Sequence, residues 1–168
     1  MVLTFDSETL RLMNYFKQAT KVQCRDCFEF NGTIVFVTNA KEAGLAVGRE
    51  GSNKRFLERN LHKKVKIVGA ADAPEELTRN FVLPLRPAEV KLERQNSKNS
   101  QSEFLNHNRA ETLASNPRDS DDSEVISIKF NTPGERRVLL SRNLENLKLL
   151  KAVMARYFPN IANIIVLQ

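Results

Sequence analysis

The sequence predicts an α+β protein made of two tandem units of one kind, each a three-stranded sheet covered by helices on one face. Three observations predict it. Apolar periodicity runs helix, strand, strand, helix, turn, helix, strand over residues 1–70, and the same order returns over 71–168. A polar stretch at about 95–123 then interrupts only the second copy.

In the first copy, Asp6 or Ser7 caps a helix to about residue 19, with Phe5 placed to staple onto Leu10 and with Leu10, Met13 and Phe16 along one face. Strands over 22–30 and 33–37 flank Asn31-Gly32, the strongest two-residue hairpin signal. A short helix over 41–47, a glycine-bracketed turn, a helix over 52–61 and a strand over 64–68 complete the unit.

The second copy starts at Asp72-Ala73-Pro74-Glu75, where a capping carboxylate and a first-turn proline open a helix to about residue 83, with Leu77 and Phe81 one turn apart. Strands over 88–93 and 124–130, helical residues over 135–140, a longer helix over 144–158 and a strand over 162–167 follow. The 95–123 insertion is rich in Ser, Asn and charge and is expected to be disordered. It stands where the first copy has Asn31-Gly32, so it reads as an enlarged hairpin loop, at a closure cost of roughly 2 kcal/mol.

Composition narrows the function classes. The 168 residues are 41% hydrophobic and carry a formal charge of +6, which suits a polyanionic partner. There is no apolar run near membrane-spanning length, so a cytoplasmic, soluble monomer is expected. Cys24 and Cys27 form a single Cys-x-x-Cys, and His62 and His107 lie far from it, so neither metal nor cofactor is expected. The strand reading turns Cys24 inward and Cys27 outward, since positions three apart face opposite ways. With no nucleophile elbow, paired histidines or spaced carboxylates, no catalytic residue and no enzyme are expected.

The candidate site is the run Val47, Gly48, Arg49, Glu50, Gly51, Ser52, Asn53, Lys54 and Arg55. Two glycines without Cβ let the chain turn sharply while a sugar-phosphate strand approaches the turn amides. The next helix then points its free N–H groups at the phosphates, with Lys54 and Arg55 one turn in. No Walker loop or dinucleotide fingerprint competes with this reading.

The turn resembles the GXXG loop of K-homology (KH) domains, which clamp about four nucleotides of single-stranded RNA. The duplicated order, together with Arg25-Asp26-Cys27, 44–54 around the turn, Ala155-Arg156-Tyr157-Phe158 and Ile164-Ile165-Val166, resembles the tandem type II KH domains of archaeal NusA-like factors over nearly the whole chain. That resemblance implies single-stranded RNA binding linked to transcription elongation or termination, with RNA polymerase as a further partner. Two departures stand out. Glu50 puts a carboxylate in the turn, although residues 48–66 carry seven basic side chains against two acidic ones. In the second copy the turn falls on Ser141-Arg142-Asn143-Leu144, where both glycines are gone, which marks it as degenerate. Arg142, Lys148 and Lys151 are left there as accessory RNA contacts. The alternative is a protein adaptor that docks on RNA polymerase or a ribonucleoprotein through the second copy or its loop, with weak RNA binding.

Overall fold

Local chemistry builds the first elements of the structure, a computed structural model that describes residues 6–94 and 124–167. The Asp6 carboxylate accepts from the Thr9 amide at 2.7 Å and caps α1 (Ser7–Thr20). β1 (Cys24–Phe30) and β2 (Thr33–Asn39) join through Asn31 and Gly32, whose φ values of 48° and 72° are those a tight two-residue hairpin requires. Then come α2 (Ala43–Val47), α3 (Ser52–Leu61), β3 (Lys64–Ala70), α4 (Pro74–Val82), β4 (Pro87–Arg94), β5 (Glu124–Phe130), α5 (Pro133–Tyr157) and β6 (Ile161–Leu167). The Phe5 staple and the 95–123 loop lie outside the described residues. Asp72 does not cap α4. Ala73 takes that position without a side-chain bond, and Pro74 supplies the helical φ instead.

The described residues form two three-stranded sheets, ordered β1-β2-β3 and β4-β5-β6. In each, the middle strand is antiparallel to its hairpin partner and parallel to the last strand. Arg94 pairs with Glu124, so the chain leaves and re-enters the second sheet at neighbouring positions of one hairpin.

The cysteine expectation is corrected by a β-bulge. Cys24 pairs with Thr38 and Asp26 with Val37, so Arg25 is the extra residue on β1. One added residue resets the alternation. Cys24 and Cys27 therefore point to the same side and are both buried with Phe16, Phe36 and Leu57. Burial pushes both thiols up to about 12, so they remain protonated core side chains at neutral pH.

A sheet covered on one face is the second expectation to change. Along β2, Ile34 and Phe36 join the cluster under the helices of the first unit, while Val35 and Val37 join a cluster with Leu77 and Phe81 of α4, Ile126 and Ile128 of β5, and Leu150 and Met154 of α5. The first sheet is thus buried on both faces, its second face forming one core with the second unit. The uninterrupted run Ile34-Val35-Phe36-Val37 is the sequence signature of such a strand.

Beside that shared core lies one buried ionic contact. Asp26, 1% exposed, accepts from Arg156 at 2.6 and 2.9 Å and from the Tyr157 hydroxyl at 2.6 Å. The Arg156 guanidinium also lies 5.0 Å from the centre of the Phe28 ring. Burial by itself would raise the Asp26 carboxyl, but the bonds from Arg156 and Tyr157 outweigh it and hold it below the usual carboxylate value.

Candidate nucleic-acid interface

The glycine turn is a tight piece of backbone closed by its own hydrogen bonds and by one side chain. Gly48, Glu50 and Gly51 have φ of 78°, 50° and 75°. The Asn53 amide donates to the Leu45 carbonyl at 3.2 Å and ties the start of α3 back across the turn to α2. A Cβ on Gly48 would stand 2.7 Å from Ser52 Oγ and 2.8 Å from Asn53 Cγ, so only glycine fits there. At Gly51 the nearest atom would be Arg55 Nη1, at an ordinary 3.9 Å. No side-chain cap is formed at α3, but the amides expected to be free are engaged within the turn: Gly48 donates to the Gly44 carbonyl at 3.1 Å, Gly51 to Gly48 at 3.0 Å and Ser52 to Arg49. Arg49 and Glu50 are both exposed at the rim.

The same tie recurs in the second unit, where Asn146 donates to the Val138 carbonyl at 3.1 Å across the same sequence separation. That bond aligns Asn146 with Asn53 and Leu144 with Gly51. Leu144 accordingly has φ of 61°, a left-handed residue inside what is otherwise one helix, α5. The separate helices expected over 135–140 and 144–158 are one element with a break at this residue. Of the accessory candidates, Lys151 is engaged with Asn163 Oδ1 at 2.9 Å and Lys148 is half-buried. The side chain of Arg142 is outside the described set.

Between the two units runs a groove of about 640 Å³, lined by Val47, Lys54, Lys64, Lys66 and Ile67 on one side and by Leu83, Val138, Asn146 and Leu149 on the other. Its lysines are not equivalent. Lys54 is paired with Glu58 at 3.0 Å, and Lys64 with Glu145 of the second unit at 2.8 Å. Lys66 has no carboxylate partner among the described residues and lies 4.7 Å from the centre of the Phe81 ring. Burial, helped by the charge of Lys54, lowers its pKa to about 8. Sequence reasoning counted Lys66 only as part of a basic stretch, yet a lysine alternating with Val65 and Ile67 in a strand is a signal of a cation at a sheet surface.

A second groove, of about 690 Å³, lies on the other side of α3 and is lined by Gln18, Ala19, Ser52, Asn53, Arg55, Phe56 and Arg59. Among the described residues no three His, Cys, Asp or Glu side chains gather into a metal-binding group, and no helix is long and apolar enough to cross a membrane.

This geometry can be set beside known proteins. Over 88 residues the chain is 25% identical to the probable transcription termination protein NusA of Methanocaldococcus jannaschii, a match covering 52% of this chain and 48% of that protein. Over 84 residues it is 30% identical to the probable transcription termination protein NusA of Halobacterium salinarum, covering 50% of this chain and 60% of that one. The chain is distantly similar to archaeal NusA-like proteins. The similarity spans about half the length of these curated relatives. No family model matches the chain. The crystal structure of APE1850 has the same fold, with a TM-score of 0.67 over 97% of this chain and all of that one, at 18% identity.

Proposed function

We propose that this protein binds single-stranded RNA as a NusA-like factor of transcription elongation or termination, through tandem type II KH domains at 1–70 and 71–168. The reading rests on the glycine turn. Its two positive-φ glycines and the basic start of α3 stand beside a groove whose apolar wall includes Val47 and Ile67. Phosphates pass over the glycine turn and meet Arg49, Lys54 and Arg55, and bases enter the groove. The distant similarity to probable transcription termination proteins supports the transcriptional assignment and a role without catalysis. The second unit braces the first, since Glu145 is tied to Lys64 and its own turn carries Leu144 in place of a glycine. Exposed Val138 and Leu83 along the groove wall favour, as a second reading, an adaptor that docks on RNA polymerase.

The test is a titration with short single-stranded RNA, single-stranded DNA and duplex at two salt concentrations, repeated on Gly51→Asp. That variant keeps its fold, because the site has room for a Cβ and Asp tolerates a left-handed φ. Its carboxylate faces the bound phosphate, and RNA affinity falls at least tenfold, about 1.4 kcal/mol. Unchanged affinity in the folded variant removes the turn from the binding site and leaves the adaptor reading.

A further inference from the structure

The two faces of α3 differ in the state of their charges. Towards the inter-unit groove, Lys54 is paired with Glu58 at 3.0 Å. On the opposite face Arg55 and Arg59 are exposed, one helical turn apart, and neither has an ion-pair partner among the described residues. Phe56 lies between them in sequence and is 50% exposed, although α3 buries Leu57 completely in the core. Among the described residues no carboxylate lines this outer groove. It is also continuous with the glycine turn, since Ser52 and Asn53 belong to both and Arg55 Nη1 would lie 3.9 Å from a Cβ on Gly51.

We infer that the groove between α1 and α3 is a second nucleotide subsite, which takes the part of a single-stranded RNA running on past the clamp, with Phe56 stacking a base and Arg55 and Arg59 holding its phosphates. The charge and shape select this occupant. Two guanidinium groups unpaired among the described residues, beside a half-exposed aromatic ring and with no acid in the described lining, form the pairing that binds single strands by stacking and backbone attraction. An extended polyanion leaving the glycine turn meets Ser52 and Arg55 before it reaches Phe56 and Arg59. This inference rests on the clamp proposed above and lengthens its footprint.

The experiment compares a four-nucleotide and an eight-nucleotide single-stranded RNA on the wild type, Phe56→Ala and Arg59→Gln, with circular dichroism confirming that each is folded. The wild type binds the longer RNA more tightly. Phe56→Ala lowers affinity for the eight-mer at least about fivefold, the effect of losing one stacked base, and leaves the four-mer unchanged. Arg59→Gln reduces the salt dependence of eight-mer binding by about one phosphate contact, roughly 0.7 in log-log slope. Equal losses on both lengths, or no loss on either, overturn the subsite. In the second case the groove serves another partner, such as an acidic protein segment. Failure of the wild type to bind either RNA overturns the clamp and this inference with it, whereas wild-type binding without any gain in length overturns this inference alone.

Discussion

Lys66 carries a charge that the fold holds in a costly place, at the inter-unit groove over the Phe81 ring and with a pKa of about 8. Phosphate oxygens or base acceptors in the groove favour the charged form and raise that value. Binding therefore takes up a proton once the pH exceeds about 8, and RNA affinity falls by up to about tenfold in all from pH 7 to pH 9. Lys66→Met lacks this fall, and an identical pH profile in the variant removes Lys66 from the interface. Stability runs the other way. Because the folded value lies below the ordinary 10.5, the unfolded chain binds more protons between about 8 and 10.5, and the folded state gains stability across that window. Urea unfolding of wild type and Lys66→Met at pH 7 and 10 reads this difference. The glycines give a second contrast. Gly51→Ala meets only its unfavourable φ and costs about 1 kcal/mol. Gly48→Ala adds contacts of 2.7 and 2.8 Å and costs clearly more, by thermal unfolding.

At the scale of elements, α5 offers a reversal of the usual helix preference. In an unbroken helix Ala is better than Gly by about 1 kcal/mol, but Leu144 has φ of 61°, where glycine is free and alanine is strained. Both substitutions lose the packing of Leu144 against the shared core. Leu144→Gly is therefore expected to be more stable than Leu144→Ala by about 1 kcal/mol in denaturant titrations, and the opposite order would mean that the helix runs unbroken. The break was legible in the sequence through the register set by Asn146, and its position matches the turn expected at 141–144. What the sequence concealed was the bulge at Arg25. A bulge depends on the partner strand, and nothing local in β1 distinguishes it from regular alternation.

For the molecule as a whole, Asp26, Arg156 and Tyr157 tie the first unit to the second beside the shared core. Asp26→Asn leaves Arg156 without its anion in a half-buried position and costs about 3 kcal/mol. The same contact sets an acid limit. The Asp26 carboxyl is held below its ordinary 3.8 in the folded state, so its contribution is complete above that value and is lost as pH falls towards the folded pKa. Wild type loses stability on acidification below about pH 4 to a greater extent than Asp26→Asn does, and parallel acid profiles would show that the bridge contributes nothing. The sequence had singled out Arg25-Asp26-Cys27 and Ala155-Arg156-Tyr157-Phe158 separately as points of resemblance. Their direct contact is a tertiary fact.

By itself the sequence determined whatever depends on neighbours along the chain. A helix cap at Asp6 or Ser7, the Asn31-Gly32 hairpin, the bounds of α3 and β5 and the glycine turn all follow from backbone preferences acting over a few residues. Tertiary structure alone decided which faces meet. It placed Cys24 and Cys27 on one side of the sheet, covered Val35 and Val37 with the second unit, set Lys66 over the Phe81 ring, and put Arg55 and Arg59 on the outside of α3. The physical reason is the range of the forces. Capping and turn formation are complete within one hydrogen bond of the residue concerned, whereas burial and pairing of charge depend on atoms brought together from distant parts of the chain, such as Asp26 and Arg156.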